Sequence, residues 1–286
     1  MIDLCIRGGT VYDPTNGIDG VVKDLWISGG RIASSPAPSE RPNKTIDARG
    51  LIVFPGGVDM HTHLVGPKVN AARGLQPEAK RNPKAEGGPV PTTRWTGLKY
   101  AGLGFTTAMD AAVAPLFARQ AHLELADTPI IDKAFLALVS DDHFVLDAVR
   151  DGDADRLEAF LAWLVKTVGA FGFKAVNPGG VEQWKETGRR TLVDLDSKID
   201  HFQISPRDIV KSLALAIDRL ALPHPLHTHC NNLGVGGNWA TTAATIDALA
   251  GSRSHLAHIQ FHSYDGSPTD DGSVASAVPR LSLIHI

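Results

Sequence analysis

The chain has 286 residues, 43% hydrophobic and 21% charged, with a net charge of -3, a composition that excludes a disordered or collagen-like polymer and fits a folded globular protein. The mildly acidic balance offers no basic field to a phosphate backbone, which argues against a nucleic-acid partner. No apolar run approaches the ~20 residues of a membrane span, MIDLCIRGG lacks the basic start and long apolar core of a signal peptide, and Cys5 and Cys230 make neither a disulfide framework nor a paired-cysteine zinc motif. The expected setting is the cytoplasm, with no membrane partner.

Residues 1 to about 50 read as short β segments, at 2–7, 10–12, 21–28 and 31–33, punctuated by Gly8-Gly9, Pro14-Thr15-Asn16-Gly17 and Gly29-Gly30. The last pair invites a tight hairpin. Residues 1–54 are therefore expected to form a small β sandwich, and residues 55–286 a second domain of alternating strands and helices.

In that second part the strand candidates are 58–61, 105–109, 134–139, 172–176, 225–229 and 255–261. Between them lie helical patterns. Leu157, Phe160, Leu161, Leu164, Val165 and Val168 fall on one face of a helix over 155–168. Ser205-Pro206-Arg207-Asp208 opens another, with a capping serine, proline at the first helical position and an acid three residues on. Strand, helix, parallel strand predicts either a (β/α) barrel of the TIM type or an open doubly wound sheet. No glycine-rich phosphate turn follows the first strand, whereas polar residues recur at several strand ends, so the barrel is favoured. Six of its eight strands can be counted. The connections 64–91 and 177–203, the second carrying Trp184, Arg189 and Arg190, are candidate lids.

The chemistry gathers at the strand ends. His61 and His63 are two residues apart, so in a strand they share a face with Cα atoms about 6.6 Å apart, a spacing suited to a divalent cation such as zinc. A lone His-x-His is a weak signal, but further histidines follow. Six of the twelve lie between 224 and 262. In His227-Thr228-His229-Cys230-Asn231-Asn232, His229 is nearer the strand end and is the preferred ligand; His227 sits a layer deeper, where it would orient one, and Cys230 faces the other way as packing. His258 and His262 share parity, but four residues of extended chain span about 13 Å, too far for one ion unless the strand ends between them. His258 is preferred as ligand and His262 as a substrate contact at the mouth; His255, of opposite parity, is assigned to structure. Lys174, between Phe173 and Ala175-Val176, is expected to be partly buried, which favours its neutral amine.

The order His61, His63, Lys174, His229, His258 along successive strands resembles the amidohydrolase superfamily. So does the entry Ile46-Asp47-Ala48-Arg49-Gly50 to Pro55-Gly56-Gly57-Val58-Asp59-Met60-His61. The resemblance implies a barrel with a small β sandwich, two divalent metal ions, most simply zinc, and a carbamylated Lys174 whose carbamate bridges them. Within the superfamily, PGGVDMHTHLVGPKVN, RWTGLKYAGLGFTTAMDAAVAPL, FKAVNPGG, HTHCNNLG and HLAHIQFHSYDG are similar to the amidohydrolase-type subunits of formylmethanofuran dehydrogenases and of formyltransferase/hydrolase complexes. Implied with them are formylmethanofuran and methanofuran as substrates, formate as product, the remaining subunits of such a complex as partners, and substrate contacts from Asn231, Asn232 and His262. The superfamily's catalytic aspartate follows an eighth strand and has no counterpart here, and the final residues 282–286 match no part of the pattern. The expectation is thus of a truncated, inactive fragment with no catalytic base of its own. Two competing readings are a cyclic amidohydrolase of the hydantoinase or dihydroorotase type, whose fifth-strand loops lack Asn-Asn-Leu-Gly, and a metal-free amidohydrolase-like scaffold.

Overall fold

The computed structural model describes residues 2–75, 91–187, 192–266 and 276–277, and the chain separates into two compact units, Met1–Gly57 and Val58–Ile286. In the first, β1 (Leu4–Asp13) pairs antiparallel with β2 (Ile18–Ser28), and β2 with β3 (Arg31–Ala33). Strands β4 (Lys44–Asp47) and β5 (Ile52–Val53) join β1 in parallel. Gly29 and Gly30 turn the β2–β3 hairpin with φ of 57° and 74°, the left-handed values that a two-residue turn requires and glycine adopts without a steric cost. Gly8-Gly9 does not end a strand. It lies inside β1 at a register shift between Ile6 and Gly9, so it is a bulge, and β1 runs longer than the glycine pair implies. Among the described residues this unit is one mixed sheet, and its buried apolar side chains are Ile2, Cys5, Val11 and Ala48.

The second unit contains the six expected strands: β6 (Gly57–Thr62), β7 (Phe105–Val113), β8 (Asp132–Leu138), β9 (Gly172–Val176), β10 (Leu226–His229) and β11 (Ser254–Leu256). They lie side by side in chain order, with parallel pairing from β7 through β11. In a flat sheet, strands spaced about 4.8 Å apart would put β6 and β11 roughly 24 Å from one another. Instead the rings of His61, on β6, and His258, just past β11, have centroids 4.9 Å apart. The sheet therefore curls on itself, as in a barrel wall.

The helices are α1 (Pro67–Leu75), α2 (Thr93–Gly102), α3 (Ala118–Asp127), α4 (His143–Arg150), α5 (Ala154–Val168), α6 (Gly180–Thr187), α7 (Pro206–Arg219) and α8 (Trp239–Ala248). On α5, Leu157, Leu161 and Leu164 are buried while Phe160, Val165 and Val168 flank the core half-buried, the single apolar stripe that its periodicity predicts. The α7 N-terminus is a full capping box. Ser205 Oγ accepts from Asp208 N at 3.2 Å and Asp208 Oδ2 accepts from Ser205 N at 2.9 Å. Among the described residues no helix is long and apolar enough to cross a membrane. Helices α1 and α6 fall in the two long connections; the Trp184 side chain, Arg189 and Arg190 lie outside the described residues.

Candidate metal centre

The predicted side chains meet at the C-terminal ends of the parallel strands, where barrel proteins carry their sites. His61 and His63 leave the end of β6 with centroids 5.7 Å apart and planes at 80°. His61 stands edge-on to His258 at 79°, and His258 edge-on to His229, centroids 4.6 Å apart, at 82°. Four imidazoles thus follow one another with each plane turned against the last. Lys174, from the middle of β9, is 1% exposed and in register with His227 of β10.

Burial sets the protonation. It draws Lys174 down to about 7, with Lys68 adding repulsion, so a substantial share of the amine, about half, is without its proton near neutral pH. Burial, then the charge of Lys174, holds His61 at about 4; burial, then His262 and His258, holds His229 at about 2. His258 is lowered for the same reasons, burial first and Lys174 second. Neutral imidazole is the form that binds metal. Lys174 Nζ, His258 Nδ1 and both ring nitrogens of His262 are buried without a hydrogen-bond partner. Buried polar atoms are normally paired, so these orphans fit a donor set awaiting cations rather than a finished core.

His262 is brought closer than strand geometry predicts. The strand ends at Leu256, His258 takes φ of 33°, and a 3-10 turn over Ile259–His262 folds the chain back, so His258 and His262 stack with centroids 5.1 Å apart. His229, His258 and His262 offer one nitrogen each within 4.8 Å. The His258 and His262 planes, however, are only 23° apart; in-plane lone pairs of stacked rings run alongside one another, so one ion takes one of the two. His262 is fully buried, not at an open mouth.

The asparagines differ. Asn231 donates from Nδ2 to Pro178 O at 3.1 Å and keeps Oδ1 without a partner. Asn232 gives both amide protons away, to Val193 O at 2.9 Å and Thr241 Oγ1 at 3.0 Å, and accepts from Val193 N at 2.8 Å. It fastens the 193 segment and has no donor left for a substrate. Cys230 is buried, its thiol pushed up to about 12 by that burial, and serves as packing.

Sequence reasoning missed Asp110. Fully buried on β7, it accepts from Leu64 N at 2.7 Å and Val65 N at 2.9 Å through Oδ2, and from Ala112 N at 3.0 Å through Oδ1. It therefore pins the backbone immediately after His63, whose Nδ1 lies 3.8 Å from Oδ1. Its signal was a carboxylate at the C-terminal end of an apolar strand. Asp59 plays a like part beneath His61: it accepts from His61 N at 3.0 Å and from the Tyr100 hydroxyl at 2.8 Å.

The buried histidines make stability pH-dependent. With folded values of about 4 for His61, His224 and His262 against an ordinary 6.5, the unfolded chain takes up protons first as pH falls. Their contribution is complete above about 6.5 and is lost progressively toward 4. The melting midpoint of the metal-free chain is expected to fall between pH 7 and 5; a flat profile would contradict a buried neutral cluster.

The curled parallel wall with imidazoles and a buried lysine at its strand ends has the architecture of an amidohydrolase-type barrel. The amidohydrolase family model matches residues 44–269, and the chain belongs to that family. Protein FwdA of Methanocaldococcus jannaschii is 40% identical over 289 residues, which cover 94% of this chain and 50% of that protein. FhcA, from the formyltransferase/hydrolase complex Fhc of Methylorubrum extorquens, is 38% identical over 287 residues, covering 97% of this chain and 51% of that protein. The crystal structure of the FhcABCD complex from the same organism, with methylofuran bound, contains a chain that superposes with a TM-score of 0.87 at 37% identity, covering 99% of this chain and 52% of that one. The chain spans about half the length of the curated relatives it matches.

Proposed function

We propose that this chain carries the metal-binding half of an amidohydrolase that interconverts N-formylmethanofuran with formate and methanofuran at a dinuclear zinc centre in one-carbon metabolism. Its partners in this reading are the remaining subunits of a formylmethanofuran dehydrogenase or formyltransferase/hydrolase complex. One observation carries the reading: His61, His63, His229 and His258 neighbour one another in turn near a buried Lys174 whose amine is drawn down to about 7, in a chain similar over nearly its whole length to FwdA and FhcA.

Each residue has a task. His61 and His63 would hold one cation and His229 and His258 the other. The neutral amine of Lys174 would add to carbon dioxide, forming a nitrogen–carbon bond and releasing one proton, and the resulting carbamate would supply one negative charge to offset the cations. When bound, zinc supplies hydroxide at neutral pH and polarises the formyl oxygen. Asn231 Oδ1, buried and unpartnered, would accept from the formamide N–H. Overall, water adds to the formamide, its carbon–nitrogen bond breaks, and formate and the amine separate with no change of oxidation state.

Binding is the readout closest to these residues. Titrated calorimetrically into the zinc-loaded chain, N-formylmethanofuran is expected to bind, and hydantoin or dihydroorotate at the same concentration is not. Binding of the cyclic amides alone would overturn the substrate assignment.

A further inference from the structure

Beneath the proposed ligands lies a second group of imidazoles that the reaction leaves unused. His224 precedes β10, His227 lies on it, and His255 lies on β11 in register with His227. One nitrogen from each falls within 4.8 Å of the others, which raises the question of a further cation. The ring planes decide against it. His227 and His255 stack with centroids 4.1 Å apart and planes at 21°. Zinc–nitrogen bonds are about 2.0–2.1 Å long, and two rings lying face to face do not both aim in-plane lone pairs at one ion at that range. Arg253 also brings positive charge toward His224.

The nitrogens line up end to end instead. His224 Nε2 is 3.1 Å from His227 Nδ1, and His227 Nε2 is 2.8 Å from His61 Nδ1. His227 is fully buried, with both ring nitrogens engaged. A neutral imidazole has one N–H and one lone pair, so protons along this row must all point the same way. His61 Nδ1 faces His227, which leaves only Nε2 for a cation. The proton of His61 is then on Nδ1 and donates to His227 Nε2; the proton of His227 is on Nδ1 and donates to His224 Nε2.

We propose that His227 and His224 form a two-imidazole positioning relay that fixes His61 as its Nδ1–H tautomer, with the Nε2 lone pair directed at a divalent cation, while His255 holds the His227 plane by stacking. The inference rests on the metal-binding reading above and extends it to His224 and to a defined tautomer at each ring. Metal-bound histidines are usually oriented by a carboxylate or a carbonyl; here a neutral ring does it, and adds no charge to a site already crowded with donors.

The test is nitrogen-15 NMR of the histidine-labelled chain, with zinc affinity measured by chelator competition. In the zinc-loaded chain His61 and His227 are expected as Nδ1–H. His224→Phe should weaken zinc by ~10–100-fold and mix the His227 tautomers, while His224→Gln, whose amide oxygen still accepts, should stay within ~3-fold. His227 protonated on Nε2, an unchanged zinc affinity in His224→Phe, or a third bound zinc lost with that substitution would each overturn the relay. Should His224→Phe not fold, the tautomers of the unsubstituted chain decide alone. Should the chain bind no zinc, the metal reading fails separately; a hydrogen-bonded Nδ1–H on His227 in the metal-free spectrum would then sustain the relay, and its absence would end it.

Discussion

Lys174→Met is expected to make the metal-free chain more stable and to abolish its hold on a metal pair. Lys174 is 1% exposed and its Nζ has no hydrogen-bond partner. Holding that amine in the core lowers its pKa from 10.5 to about 7, and the sign follows: between those values the unfolded chain binds the proton and the folded chain does not, so stability rises with pH across that window and the group destabilises the fold at neutral pH. Methionine keeps the volume and removes the amine, for a gain on the order of 2–4 kcal/mol at pH 7. Denaturant unfolding checks the first half, and zinc per chain the second. Lys174→Ala should likewise lose the metal pair, with partial recovery in a short carboxylic acid that replaces the carbamate. Unchanged stability in Lys174→Met would mean that the amine is solvated, and two retained metals would end its bridging role.

Asp110→Ala is expected to cost about 3–5 kcal/mol, since two buried backbone N–H groups, at Leu64 and Val65, and a part-buried one at Ala112 lose their acceptor together. Asp110→Asn keeps one acceptor oxygen but turns an amide toward donors, so it should fall between the two. The segment that Asp110 pins begins one residue after His63, so zinc affinity should weaken in parallel with stability. Unfolding midpoints and chelator competition on the same samples measure both. A cost below about 1 kcal/mol for the alanine variant would show that Leu64 and Val65 find other acceptors.

What could be read from the residues alone follows from which signals are local. The two-residue parity that pairs His61 with His63 and aligns His227 with His229 is a property of any strand, and both pairs lie at strand ends as expected. The α5 stripe and the Ser205–Asp208 capping box are similarly local, and both are found. The approach of His262 to His258 was not legible, because it depends on a left-handed residue at His258 that no neighbouring glycine or asparagine announces. The bulge at Gly8-Gly9 went unread for the opposite reason: two glycines signal a turn and a bulge alike. Asp110 was overlooked because two of its three partners, Leu64 and Val65, lie more than forty residues back, and the relay through His224 because hydrogen bonds between rings leave no spacing rule. The curl of the wall is shown by the contact between His61 on β6 and His258 just past β11, which parity and period do not encode.

The central claim is that five side chains from four strands surround two cations. Anomalous diffraction at the zinc edge from crystals grown in bicarbonate tests it most directly. The account predicts two peaks, one against His61 and His63 and one against His229 and His258, joined by carbamate density on Lys174. A lone peak among His224, His227 and His255, or an unmodified Lys174 with no metal beside it, would contradict it.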